Sequence, residues 1–303
     1  MKRNNRTRKK KQNKLLSSII ISIIIIASTI WSKENIENTN NNSLANDSFA
    51  VASMQVHFID VGQADSILIL SDDEAMLVDA GNNEDGTYLV KYLKEQGISK
   101  LKYVIATHPH EDHIGGMDDV INNFTVETVL MPDVTHTTKT FEDVLNAMNE
   151  NDLGITIPSV GEEYEIGKAK FVVIAPNKEM DENNLNDASI GVKLVNGNNR
   201  FIMCGDAPKF SEKEMLQSGI DLSAQVYKVS HHGSNTATTD AFLKAISPEY
   251  AIIQCGENNS YGHPHKETLH KLEQMGVIVL RNDKNGTIIA ISDGNKIQWI
   301  TEK

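Results

Sequence analysis

The sequence predicts an α/β (α+β) chain of two facing sheets with helices packed outside them. Three observations predict it: short apolar runs bounded by turn residues recur along most of the chain, amphipathic helical spacing falls between many of them, and the two halves share one form. That form is a meander, then strand–helix units, then further strands.

The folded part begins late in the 303 residues. Residues 1–14 hold eight Lys or Arg and no acid, and Leu15 to Trp31 is an Ile-rich apolar run without amphipathic period. Residues 1–31 therefore read as a basic segment followed by a signal peptide or membrane anchor. The run has the length of a short span, and no small-x-small cleavage site follows it directly, so both forms stand. Residues 32–52 are polar and Asn-rich and read as a disordered linker, which leaves 53–303 as one domain on the extracellular side, secreted or membrane-anchored. The formal net charge is −12, and beyond residue 14 there remain 21 basic against 41 acidic residues. A long electropositive track for nucleic acid is not advertised by that balance. Cys204 and Cys255 each end an apolar run and read as two buried free thiols rather than a disulfide framework.

Within the domain, Gln55–Asp60, Ser66–Leu70 and Glu74–Asp79 read as a three-stranded meander, with turns at Gly62–Asp65 and Ser71–Asp73. Helical spacing of Leu89, Tyr92 and Leu93 precedes a buried strand at Tyr103–Ala106. After a strand at Glu127–Met131, the spacing of Phe141, Val144, Leu145 and Met148 predicts a helix capped by Thr140. Residues 155–175 return to strands, Pro176–Asp187 is a polar loop that suits a lid or a surface excursion, and Ser189–Val195 with Arg200–Cys204 forms a hairpin around Asn196–Asn199. Capping-box spacing from Ser211 to Glu214 starts a helix. The strand Gln225–Val229, a helix near Phe242–Ile246, the strand Tyr250–Cys255 and a helix with Leu269, Leu272 and Met275 on one face follow. Three strands at 278–280, 287–291 and 297–300 end the chain.

The polar residues that carry chemistry all sit just after apolar strands. Asp60 and Asp79 end two of them. Thr107-His108-Pro109-His110-Glu111-Asp112-His113-Ile114-Gly115-Gly116 follows a third, and Asp206, His231-His232-Gly233-Ser234 and His263-Pro264-His265 follow three more. Imidazole nitrogen with carboxylate oxygen suits a borderline cation, zinc or manganese. Two such cations need several nitrogens, one carboxylate that reaches both, and a hydroxide between them. His108 and His110 can serve one, Asp112 and His113 the other; Asp206 can bridge, and one of His231 and His232 completes the second sphere. Because adjacent residues on extended backbone point opposite ways, the two are not expected on the same cation. Asp60 and Asp79 are candidates to support a ligating histidine from behind or to meet substrate.

The His-x-His-x-Asp-His block, a Gly-Asp after a strand and a later histidine resemble the metallo-β-lactamase superfamily. Together with Phe58–Ser66, Cys204–Ala207, Ser230–Ser234 and Tyr261–His265, they are similar to a narrower branch: the hydrolase domain of ComEC-like DNA-uptake (competence) proteins and the phosphorylcholine esterases that act on teichoic acid. The resemblance covers roughly residues 54–302. It implies the metallo-β-lactamase fold, an αββα sandwich of two mixed sheets with a two-metal site at one edge. It implies His108, His110, Asp112, His113, Asp206 and His232 as metal ligands. His231 would then meet the substrate or support a ligand. The middle histidine usual in the superfamily has no clear counterpart; His136, His263 and His265 are the candidates.

The reaction so implied is metal-dependent hydrolysis of a small-molecule or polymeric phosphodiester by a metal-bridging hydroxide. Asp112 would orient the hydroxide, His265 or His263 would protonate the leaving alkoxide, and Ser234 would hydrogen-bond the phosphate. A nuclease, a phosphorylcholine esterase, a lactone or lactam hydrolase and a non-catalytic metal-binding module are the competing readings.

Overall fold

The computed structural model describes residues 54–176 and 184–303. The basic and apolar segment 1–31, the linker 32–52 and residues 177–183 of the polar loop lie outside the described residues.

Among the described residues there are fifteen strands in two sheets. The first sheet contains β1 (Met54–Phe58), β2 (Ile67–Ser71), β3 (Glu74–Val78), β4 (Lys100–Ile105), β5 (Thr125–Leu130) and β6 (Ile155–Thr156). The second contains β7 (Glu163–Ile166), β8 (Ala169–Ala175), β9 (Gly191–Asn196), β10 (Asn199–Met203), β11 (Val226–Lys228), β12 (Tyr250–Ile253) and β13 (Ile278–Arg281). The last two strands, β14 (Ile288–Ser292) and β15 (Ile297–Thr301), do not extend the second sheet. They return to the first, where β14 pairs antiparallel with β1 along its whole length, so the two halves are less alike than their sequence pattern. Without them β1 would present an open edge of unpaired backbone groups.

Side-chain alternation sorts the core into three layers. Val56 and Phe58 of β1, Ile67 and Ile69 of β2, and Met76 and Val78 of β3 face inward, and they meet Phe171, Phe201, Met203, Val226 and Ile252 of the second sheet. The residues between them face outward: Leu68, Leu77 and Val104 lie under α1 (Gly86–Glu95), and α4 (Lys139–Glu150) joins the same layer; two short helices, α2 (Glu111–Ile114) and α3 (Met117–Asn123), fall between them in the chain. On the far side Ile202 and Tyr227 pack with α5 (Lys209–Gln217), α6 (Asp240–Ile246) and α7 (Lys266–Gln274). The arrangement is helix, sheet, sheet, helix.

Helix starts differ from the sequence expectation in two places. The cap of α4 is Thr138, whose Oγ1 accepts from Phe141 N, while Thr140 is buried and bonds Asn83 instead. Pro208 stands at the start of α5, so Ser211 lies inside the first turn and caps nothing; proline's fixed φ suits that entry. Met275 lies past the end of α7 and is exposed, leaving Leu272 and Leu269 to pack. Cys204 and Cys255 are buried and unpaired.

What positions the site is strand direction. β3 and β4 are parallel, and so are β10, β11 and β12. Parallel neighbours present their carboxyl ends at one edge, and the loops that leave those ends are the ones rich in His and Asp.

One outward-facing residue of β1 gives the fold a pH dependence of its own. His57 is buried, with Nδ1 2.8 Å from Tyr92 OH and Nε2 3.1 Å from Gln55 Oε1, and burial lowers its pKa from 6.5 to about 4. The unfolded chain binds this proton first. Its contribution is therefore complete above pH 6.5 and is lost as pH falls towards 4, up to about 3 kcal/mol. Urea denaturation at several pH values is expected to show a His57→Gln variant losing that much less stability over the window than the parent; equal slopes would contradict this.

Candidate metal centre

The loop after β4 carries four of the expected ligands in a tight reversal. Thr107 fixes its start: Thr107 N and Oγ1 both donate to Asp79, at 2.8 Å each. Since that hydroxyl's proton is used, His108 Nδ1, 3.1 Å away, must be the donor to Thr107 Oγ1, which leaves His108 Nε2 a lone pair with which to accept. His110 Nδ1 lies 3.0 Å from that nitrogen. His113 Nδ1 donates to Asp79 Oδ2 at 2.7 Å and so presents Nε2 to the site. Asp79, a candidate to support a ligating histidine from behind, does so for His113 and holds Thr107 as well.

The second sheet supplies the complement. β10 ends in Gly205-Asp206, with Asp206 N donating to Ser189 Oγ. Gly205 has φ +49, and a Cβ there would stand 2.7 Å from Thr107 Oγ1, so the close approach of the two loops requires glycine. His231 and His232 do not lie on extended backbone. Both are left-handed, φ 52 and 53, as is Asp79 at φ 58. Three non-glycine residues in that region mark stored strain, at about 1–3 kcal/mol each, kept in place by bonds such as His231 N to Gly205 O. The sharp turn lets both rings approach Asp206: His231 Nε2 is 3.5 Å from Oδ2, and His232 Nε2 is 3.7 Å from Oδ1 and 3.3 Å from Asp112 Oδ2. His232 Nδ1 bonds the Gln254 carbonyl at 3.0 Å, which turns its other nitrogen inward.

Three buried atoms then face one another with no hydrogen-bond partner: His113 Nε2, His232 Nε2 and Asp206 Oδ1. His113 Nε2 is 3.2 Å from Asp206 Oδ1, yet out of line for a hydrogen bond. Unpaired buried nitrogen and carboxylate oxygen at such spacing is costly unless a cation lies among them. His108, His113 and Asp206 form one compact group of ligand atoms, and Asp112, His113 and His232 form another. The donor set fits divalent metal.

The charges agree. Burial opposes charge on His113 and His232, but Asp206 outweighs it, joined by Asp79 at the first and Asp65 at the second; His113 is pushed well above its usual pKa and His232 to about 10. Burial alone would raise Asp206 and Asp112; His113 overrides it, driving Asp206 well below the carboxylate range and Asp112 to about 2. His108, buried and beside His113, is held well below 6.5.

The other sequence candidates take different places. Asp60 points away from the cluster, to Gly62 N and to Lys303 Nζ at 3.3 Å. Ser234 is buried and its hydroxyl accepts from Thr236 Oγ1, so it props the loop rather than facing outward. Thr236 Oγ1 in turn meets His231 Nδ1 at 2.9 Å. His263 stacks on His232 and is stacked upon by exposed Tyr261. His265 Nδ1 accepts from Asn235 N, which puts the neutral ring's proton on Nε2. His136 lies beside His110, with ring centroids 6.1 Å apart, and bonds Thr138. Asp65, Lys228 and Gln254 stand directly behind the ligands, and the sequence reading assigned them nothing. Their inward parity with Ile67, Val226 and Ile252 was the available signal.

The family described as "Metallo-beta-lactamase superfamily" matches residues 59–257. ComE operon protein 3 of Bacillus subtilis is 30% identical over 252 residues, covering 77% of this chain and 32% of its own length. The chain spans about a third of the length of the first curated relatives it matches. Among solved structures, the metallo-beta-lactamase fold protein YhfI from Bacillus subtilis superposes with TM-score 0.53 at 12% identity, over 78% of this chain and 99% of its own. CmlA, a diiron beta-hydroxylase from Streptomyces venezuelae, superposes with TM-score 0.51 at 13% identity, over 75% and 52%. These last two show shared fold.

Rings raised this far hold protons at neutral pH that a cation must displace. Zinc titrations at pH 7 are expected to release protons, seen as a binding heat that differs between Tris and HEPES, and affinity is expected to fall as pH drops. A heat independent of buffer would contradict the charge assignment.

Proposed function

The chain belongs to the metallo-beta-lactamase superfamily, and from that premise we propose a metal-dependent phosphodiesterase working on the outer side of a membrane. The observation that carries the metal reading is the convergence of unpartnered His113 Nε2, His232 Nε2 and Asp206 Oδ1 between two sheets. His108, His110 and Asp206 would hold one divalent cation, zinc or manganese, and Asp112, His113, Asp206 and His232 a second. Such a pair lowers the pKa of water and offsets charge that develops on phosphoryl oxygens.

The residues around it divide the remaining work. Asp112, a carboxylate lowered to about 2 and so ionised at the mouth of the second group, would accept a hydrogen bond from the attacking water and aim it. His231 is part-exposed with Nε2 turned to Asp206 Oδ2, on the side where substrate enters; it either meets the phosphate or supplies the nitrogen that the first cation lacks. His265, ahead of His263, is the candidate to protonate a leaving alkoxide; it would do so as the imidazolium, which requires the Asn235 N–H to leave its Nδ1. His263 and Tyr261 stand at the rim.

A phosphodiester is preferred over a lactam because a phosphate in flight gathers charge on several oxygens, which two cations and a histidine-lined mouth suit. The acidic balance beyond residue 14 favours small or single-stranded substrates over duplex nucleic acid. The basic segment and apolar run of residues 1–31 support export or anchoring. Among the described residues no helix is long and apolar enough to cross a membrane.

Metal-loaded protein should cleave bis-p-nitrophenyl phosphate, and Asp206→Ala should lose about a hundredfold or more. Parallel assays with p-nitrophenyl phosphorylcholine, single-stranded DNA and nitrocefin identify the substrate class, and activity on nitrocefin alone would overturn the proposal. His265→Gln is expected to cost about 10²- to 10⁴-fold on substrates with alkoxide leaving groups and little on p-nitrophenyl esters, whose leaving group needs no proton. Equal losses on both would remove His265 from the general-acid role.

A further inference from the structure

Two fully buried charges that take no part in the steps above stand behind the second ligand group. Lys228, on the inward face of β11, places Nζ 2.5 Å from Asp65 Oδ2 and 3.2 Å from Val229 O. Asp65 leads into β2 of the opposite sheet. Its Oδ1 lies 3.2 Å from His232 Nδ1, whose hydrogen bond goes to Gln254 O instead, and its Oδ2 lies 3.9 Å from His113 Nδ1. The Asp65 backbone joins two more loops of the site: its N–H donates to Asp112 O at 3.1 Å, and its carbonyl accepts from Gly81 N at 2.9 Å.

A cross-brace between sheets does not need ions. Apolar residues of similar volume usually hold such a place as well or better, because each buried ion gives up its hydration. The reason for charge here lies in what backs each imidazole. His113 Nδ1 donates directly to the Asp79 carboxylate, which makes its far nitrogen a strong donor to a cation; His232 Nδ1 donates to the Gln254 carbonyl, with the Asp65 carboxylate standing off at 3.2 Å. Asp65 Oδ1, which has no hydrogen-bond partner, faces that ring, and an Asp65 freed from Lys228 could swing onto the His232 Nδ1 proton and take it from the carbonyl. Lys228 holds the other oxygen, Oδ2, and so fixes the distance at which Oδ1 stands from the ring.

We propose that Asp65 and Lys228 are a positioning pair for the second cation: they keep His232 on the Gln254 carbonyl and fix the separation of the ligand loops of the two sheets. This rests on the two-metal reading given above. Asp65→Asn/Lys228→Met removes both charges at nearly constant volume. In cobalt(II) titrations followed by absorbance and chelator competition, this variant is expected to bind the first equivalent as the parent does. It should bind the second about 10- to 100-fold more weakly, with altered ligand-field bands, while the unloaded protein melts within a few degrees of the parent. A variant that binds both equivalents with parental affinity and bands makes the pair a structural brace only and overturns the proposal.

Should the variant fail to fold, the parent decides. In a zinc titration the ¹⁵N resonance of the Lys228 ammonium should move with the second equivalent and not with the first. A resonance indifferent to the second equivalent overturns the proposal. Failure of the parent itself to bind cations is a different result, and it removes the two-metal reading together with this one.

Discussion

The candidate metal centre depends on one carboxylate that crosses from sheet to sheet. Asp206 leaves the carboxyl end of β10 and places Oδ1 3.2 Å from His113 Nε2, a residue that follows β4 of the opposite sheet. Neither half is a site alone. His108, His110, Asp112 and His113 offer nitrogen and oxygen without a common anion, whereas Asp206, His231 and His232 offer the anion with too few partners. The closeness of the two loops is enforced by backbone: Gly205 is seated against Thr107, and Thr107 is bonded twice to Asp79. A shift of either sheet would separate the donors before it disturbed the apolar core, so the site samples the packing angle more sensitively than the fold does.

Much of this was legible in the sequence because it rests on local pattern. The period-two runs gave the strands, the spacing of Phe141, Val144 and Met148 gave α4, and the habit of His and Asp to follow apolar runs gave the site. What stayed hidden depends on partners distant in the chain. Asp65 looks like a turn residue until Lys228 is set against it across the sheets. Gln254 looks like the end of a strand until its amide is seen bonding Ile59 O and Ser66 O. The turn at His231-His232 hides for another reason: left-handed φ is rare outside glycine, and only the bonds around it make it tenable. The same holds for Asp60, whose place at a strand end promised the site and whose carboxylate instead meets Lys303.

Fold and chemistry separate here in a familiar way. The family match covers residues 59–257, and the structural neighbours include both a metallo-beta-lactamase fold protein and a diiron hydroxylase. A shared scaffold does not set the reaction, which is left to the residues around the candidate site. In this chain those residues are the histidines of the β11 and β12 loops, which form a wall of rings from His231 and His232 through His263 to His265 and exposed Tyr261. Their hydrogen bonds differ, one ring accepting at Nδ1 and another bonded to a carbonyl, so rings within a few ångströms present different nitrogens.

The return of β14 to β1 has a consequence for how the molecule is made. Val56 pairs with Ala290, so the first of the described strands waits for one of the last before its sheet is complete. The ligands are divided in the same way, with His108 made early and His232 late. Pairings this distant are slow to form and leave a bare strand edge exposed in the meantime. The two sheets, and the candidate metal centre between them, close only when β14 and the His232 loop have both been made.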